Sequence, residues 1–161
     1  DRFMFLITVN YPNRDEELRI SRETTVGVPP KLTKIIKGRE LLQFQDLVER
    51  VPVPEHVHEM AVDLARRTRP NTEDASAWLR KWVQWGAGPR AVQYLIRGSK
   101  ARAVLNGRYL VGLDDLEAVA EPVLTHRILT NFQAQSEGVT SVNIIQRLIK
   151  ELRKEKDAER A

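Results

Sequence analysis

Apolar side chains recur at three- and four-residue steps through most of the chain, but near its start they stand side by side. The run Phe3 to Val9, apolar apart from Thr8, predicts a strand covered on both faces, ended by Tyr11-Pro12. "NRDEELRISRETT" then predicts a polar helix. Asn13 can cap it, and acidic residues in its first turn suit the helix dipole. "VGVPPKLTKIIKG" reads as an irregular link, broken by Gly27, Pro29, Pro30 and Gly38. From residue 39 the period is helical, with Leu41, Leu42, Phe44, Leu47 and Val48 on one side. Pro54 suits the first position of the next helix, whose face is Val57, Met60, Ala61 and Leu64, and Pro70 ends it.

The second half continues in the same way. "NTEDASAWLRKWVQW" predicts a helix with Trp78, Leu79 and Trp82 as its apolar side. Residues 89 to 105 predict another, with Val92, Leu95, Ile96, Ser99 and Ala103 forming a narrow stripe that a neighbouring helix could approach closely. Asn106-Gly107 stops it. Tyr109 to Val111 predict a short extended link, and Asp114 or Asp115 opens a short helix that Pro122 breaks. Beyond Ser136-Glu137-Gly138, an amphipathic helix carries Val142, Ile145, Leu148, Ile149 and Leu152 on one face. No internal repeat or low-complexity tract is present.

One strand among about six helices is physically incomplete. A lone strand leaves backbone donors and acceptors unpaired on both edges. The partners of Phe3 to Val9 are not encoded here, so the expectation is a C-terminal piece of a larger α/β protein. The alternative is a lone edge strand packed on helices.

Composition narrows the function. The chain has 161 residues, 42% apolar and 30% charged, as in ordinary soluble domains. Its net charge of +4 comes from interleaved signs rather than a block. That favours a solvated mixed surface over a nucleic-acid stripe. There is no cysteine, which excludes disulfides and thiolate metal sites. No run approaches the ~17–25 apolar residues of a membrane helix, and no signal peptide is legible. A cytoplasmic location with no membrane insertion is the expectation.

The chemistry that is missing is informative. No G-x-x-x-x-G-K-[ST], G-x-G-x-x-G or G-x-S-x-G occurs. "RGSK" (97 to 100) lies inside a helical pattern and reads as a packing glycine rather than a phosphate cradle. His56 and His58 are two apart on a helix, point to different sides and cannot chelate together. His126 reads as structural. Arg90, after "GAGP", falls at the second position of a helix whose free amides already make that end electropositive. A cation there costs up to ~1 kcal/mol unless helix end and guanidinium together face an anion, with Gly86 and Gly88 allowing its approach. Spacing alone leaves open whether Arg90 does this or is simply solvated. Arg2, just before the predicted strand, is a weaker candidate of the same kind.

"DRFMFLITVNYP", "PVPEHVHEMAVDLARRTRP", "WGAGPRAVQYLIRGSKARAVLNGRYLVGLDDLEAVAEPVLTHRI" and "EGVTSVNIIQRLIKEL" resemble, in that order, the C-terminal part of MoxR-type AAA+ ATPases. The likeness covers essentially the whole chain, and G-A-G-P-R-A and P-V-L-x-H-R-I are its specific blocks. It implies a mainly α fold, in which a helical lid bundle is preceded by one strand of a truncated α/β P-loop core. The divisions it implies are residues 1–38 for the core remnant and linker, 39–135 for the lid, and 136–161 for a C-terminal amphipathic helix. Arg90 matches the sensor-2 arginine that reaches the γ-phosphate. Arg2 matches an arginine finger that reaches a neighbouring subunit's nucleotide. Many relatives carry serine where this chain has Gly88, and glycine remains an acceptable cap.

The resemblance implies ATP and Mg2+ as cofactors of the full-length protein, none bound by this fragment alone, and no bound metal here. The P-loop, the magnesium-holding acidic residue and sensor 1 are not in this sequence, so the fragment is not expected to be a competent enzyme. It implies a homo-oligomeric ring, a hexamer, acting as a chaperone on client proteins, some with von Willebrand factor A domains. The alternatives are a non-enzymatic helical module binding nucleic acid or protein, and a magnesium-chelatase-type ATPase subunit.

Overall fold

The computed structural model describes residues 2–27 and 31–159. Pro29 and Pro30, expected to break the link, lie outside the described residues. The elements, in order, are α1 (Arg14–Thr24), α2 (Gly38–Arg50), α3 (Glu55–Arg67), α4 (Ala77–Trp82), β1 (Val83–Trp85), α5 (Pro89–Leu105), α6 (Leu113–Leu124), β2 (Leu129–Thr130), α7 (Phe132–Ser136) and α8 (Ser141–Glu159). A single 3-10 turn, Thr125–Arg127, joins α6 to β2.

The core is built by α3, α5, α6 and α8. The period read from the sequence puts Val57, Met60, Ala61 and Leu64 of α3 completely inside. They join one cluster with Leu95 of α5, Leu116 and Val123 of α6, and Ile145, Leu148 and Leu152 of α8. Burying each Leu or Ile side chain contributes ~1.5–3 kcal/mol. The C-terminal helix α8 is thus docked on α3 and α6. At its far end Glu155 accepts both arms of the Arg67 guanidinium, at 2.8 and 2.6 Å.

The closest helix pair is α5 and α6, and small residues permit it. A Cβ on Gly98 would lie 3.4 Å from Val119 Cβ and 3.3 Å from Phe5 Cζ. "RGSK" therefore sits inside α5 as a packing glycine. Ser99 beside it satisfies its buried hydroxyl on Leu95 O at 2.7 Å. Asp115, fully buried in the first turn of α6, accepts from Gly112 N at 3.0 Å and from both arms of Arg108.

Three expectations are corrected. The helix predicted to reach Trp85 stops at Trp82, because Val83–Trp85 pairs antiparallel with Leu129–Thr130 across a bulge. Asn131 locks that junction, its N–H donating to Trp82 O at 2.9 Å and its side chain to Lys81 O at 2.8 Å. Pro122 does not break α6, which runs to Leu124. It stands in the last turn, where a single lost bond is tolerated, and residue 118, four back, is on the exposed side. Pro54 is the cap of α3 rather than its first residue. By contrast α2 forms as expected, and among the described residues its apolar face is only partly covered: Leu41 and Phe44 are each 50% exposed.

Phe3–Val9 carries no strand. Without partner strands its backbone has no sheet to join, and Ile7 and Val9 stand exposed. Its start is fastened to the helical bundle instead, with Leu6 N donating to Pro122 O at 2.8 Å. The polar helix that follows is capped as read: Asn13 Oδ1 accepts from Glu16 N at 3.0 Å, and Glu16 Oε2 accepts from Asn13 N at 2.8 Å.

Candidate functional site

The corner before α5 is set by α3. Gly86 packs directly on the last turn of that helix, where a Cβ would fall 2.3 Å from Thr68 O and 2.7 Å from Arg69 Cα. Only glycine fits. Next to it, Ala87 N donates to the buried Thr68 Oγ1 at 2.8 Å, and Arg69 Nε donates to Ala87 O at 2.8 Å. Thr68 Oγ1 in turn donates to Ala65 O at 2.7 Å. The chain then leaves through Gly88, with φ −81° and ψ 177°, into Pro89 at the first helical position. Gly86 is therefore required by packing rather than by a ligand's approach. At Gly88 a Cβ would meet open space.

This corner delivers Arg90 at the second position of α5 with its side chain exposed. α5 has no acidic residue of its own in its first turn to offset the partial positive charge of the helix end. Beside it lies an open cleft of about 530 Å³ between the corner and the 125–129 segment, lined by Trp85, Gly86, Gly88, His126 and Arg127.

Arg2 is brought to the same region. Tyr94 stands four residues after Arg90 on α5, hence on the same face. Its hydroxyl donates to Arg2 O at 2.9 Å. Arg127, buried at the end of α6, lies over the Tyr94 ring at 5.1 Å. Its guanidinium donates to Phe3 O at 2.6 Å, to Met4 O at 3.3 Å and to Val123 O. His126 Nε2 is 3.0 Å from Phe3 O. A carbonyl only accepts, so that nitrogen carries the proton. Burial chiefly, opposed by the Phe3 hydrogen bond and assisted by the Arg127 charge, holds the imidazole below its ordinary pKa. Arg127 is also pushed down, by burial first, with the Arg90 charge contributing and Tyr94 opposing.

Arg90 and the backbone of Arg2 are thus drawn together around Tyr94. His126, read as structural, is a fastening for residue 3. Arg127 was not singled out by sequence reasoning. Its signal was an arginine inside the apolar segment "VLTHRIL", a place where a charge must find acceptors. His56 and His58 are both exposed on α3. Among the described residues no group of three or more His, Asp or Glu side chains is arranged to hold a metal, and no helix is long and apolar enough to cross a membrane.

Residues 77–148 match the AAA lid domain family. This stretch holds the corner, α5, α6 and most of the core. The chain is 29% identical over 150 residues to "Chaperone MoxR1" of Mycobacterium tuberculosis, covering 92% of this chain and 39% of that protein. It is 44% identical over 46 residues to "Protein MoxR" of Paracoccus denitrificans, 29% of this chain and 14% of that one. The crystal structure of a "putative ATPase" from Cytophaga hutchinsonii superimposes with a TM-score of 0.83 at 28% identity, covering 92% of this chain and 46% of the other. The chain resembles the lid-bearing, C-terminal part of MoxR-type AAA+ ATPases. It spans about two fifths of the length of the MoxR1 relative. The mainly helical fold expected from the sequence is the one observed.

Proposed function

We propose that this chain is the nucleotide-responsive lid of an ATP-driven, chaperone-like remodelling machine, and that Arg90 reads the terminal phosphate. The observation that carries this is the corner itself. A glycine admitted only by contact with Thr68 fixes the start of α5, an exposed arginine stands at its second position, and an open cleft lined by Gly86 and Gly88 lies beside that corner. Helix amides and a guanidinium on one side of a cleft fit a polyphosphate. Bound ATP with Mg2+ would supply the hydrolysable terminal phosphate. Arg90 would neutralise its charge, and the rigid corner would pass that contact to the bundle through α3 and α5.

Arg2 acts as the arginine finger towards a neighbouring subunit of a homo-oligomeric, hexameric ring. Its backbone is tied to Tyr94, one turn along α5 from Arg90. The 1–38, 39–135 and 136–161 divisions serve as core remnant with linker, lid, and docked C-terminal helix. The machine is cytoplasmic and acts on client proteins, von Willebrand factor A domain proteins among them.

The test uses the intact protein. Arg90→Ala and Arg2→Ala each lower ATP turnover by at least ~10-fold, with melting temperatures unchanged because both side chains are exposed. Mixing Arg2→Ala subunits with P-loop-deficient ones restores part of the activity. Normal turnover in both variants removes the proposal, and salt-sensitive binding of nucleic acid without turnover would replace it with a binding module.

A further inference from the structure

Arg127 donates to three backbone carbonyls, Phe3 O, Met4 O and Val123 O. It is buried at 6% exposure in the 3-10 turn that follows α6. Beyond Val123 O, its fork donates to two consecutive carbonyls of the N-terminal segment, Phe3 O and Met4 O. Tyr94 and His126 complete the same clamp, one on Arg2 O and one on Phe3 O. Four hydrogen bonds from three side chains thus fall on the backbone of three successive residues. A buried guanidinium is costly unless fully bonded. Docking of residues 3 and 4 supplies two of the acceptors that offset this cost. The apolar side chains Met4 and Phe5 seat against Gly98 in the same place, so docking has both a polar and an apolar half.

We propose that Arg127, with Tyr94, is a positioning residue that clamps the backbone of residues 2–4 to the face of α5 carrying Arg90, and so sets where the Arg2 guanidinium reaches. This rests on the reading of Arg2 and Arg90 as phosphate-facing arginines. Arg127 itself touches no phosphate: its donors are turned to carbonyls. The planar fork matters. A lysine ammonium is a point donor and does not span Phe3 O, Met4 O and Val123 O together. The clamp ties the segment carrying Arg2 to the lid helices α5 and α6, so Arg2 follows the lid when the lid moves.

The test is a cycle of variants in the intact protein: Arg127→Gln, Arg127→Lys, Tyr94→Phe and Arg2→Ala, alone and with Arg127→Gln added to Arg2→Ala. Misplacing a catalytic group by ~1 Å costs on the order of 100-fold. Arg127→Gln is expected to lower kcat ~10–100-fold, with KM for ATP little changed. Arg127→Lys is expected not to restore it, and Tyr94→Phe to give a smaller loss. In the Arg2→Ala background, Arg127→Gln is expected to cost nothing further. In parallel, amide exchange of residues 3–6 is expected to quicken in Arg127→Gln and Tyr94→Phe. If Arg127→Gln does not fold, Tyr94→Phe carries the test, since it removes one hydroxyl and keeps the ring.

Multiplying losses in the double variant would show that Arg127 supports the fold at large, and would overturn the proposal. So would wild-type turnover and wild-type exchange in Arg127→Gln. Normal turnover in Arg2→Ala alone would instead remove the underlying finger reading, and with it the positioning role. Exchange at residues 3–6 would still report whether the clamp exists.

Discussion

Replacing Gly86 with alanine probes the corner directly. The new methyl carbon would lie 2.3 Å from Thr68 O, 2.5 Å from Thr68 C and 2.7 Å from Arg69 Cα. Carbon atoms settle near ~3.5–4.0 Å from their neighbours, so the corner must retreat by roughly 1 Å. All three obstacles are backbone atoms, which no rotamer change can clear. Retreat stretches two hydrogen bonds now at 2.8 Å, Ala87 N to Thr68 Oγ1 and Arg69 Nε to Ala87 O. Overpacking costs ~1–3 kcal/mol, and each weakened bond up to ~0.5–1.5 kcal/mol. Gly86 is not among the positive-φ glycines, so alanine suffers no backbone strain there. It regains ~0.4–1 kcal/mol by stiffening the unfolded chain. The net loss is ~1–3 kcal/mol, or a melting temperature lower by ~3–10 °C for a chain of this size. Gly88→Ser, two residues on in open space, is the control: it is expected to shift the melt by no more than a few tenths of a kcal/mol, ~1 °C. Circular dichroism melts at 222 nm measure both. If Gly86→Ala melts with the wild type, the corner is not held as described.

Two further outcomes follow from the same contacts. Thr68→Val keeps the shape but leaves the buried Ala87 N–H without its acceptor, for a loss of ~1–3 kcal/mol in urea titration; a neutral result would mean the hydroxyl does not organise the corner. His126 gives a pH dependence: its folded pKa is depressed, by burial first, so its contribution is complete above the unfolded value of ~6.5 and is lost as pH falls through the lower folded pKa. Exchange at Leu6, whose N–H is donated to Pro122 O, is expected to quicken in that acidic window beyond its intrinsic rate, and His126→Gln to abolish the effect. An unchanged pH profile in that variant would exclude His126 as the fastening.

Much of the bundle was legible because local signals and burial agree in it. The Val57, Met60, Ala61, Leu64 period marks α3 because all four do face one core. Pro89 and Asn106-Gly107 bracket α5 because proline suits a helix start and Gly107 adopts φ 68° just past its end. The small sheet was not legible: strands of three and two residues owe their existence to pairing across more than forty positions, and to Asn131. Nor was the fate of Phe3–Val9, whose pattern describes a sheet environment this chain does not contain. At the site, the sequence singled out Arg90 and Arg2 through motif and resemblance. It could not show that Gly86 serves Thr68, because that contact crosses from one helix end to another. Arg127 escaped because its acceptors are carbonyls, which leave no trace in the side-chain pattern.

The claim that Arg90 reads a terminal phosphate is tested most directly by calorimetric titration of the intact protein with ADP and with a slowly hydrolysed ATP analogue. A charged hydrogen bond is worth ~1.5–3 kcal/mol, so Arg90→Ala should weaken the triphosphate by ~10–150-fold and leave ADP affinity as it was. Equal weakening of both nucleotides, or of neither, would contradict the account.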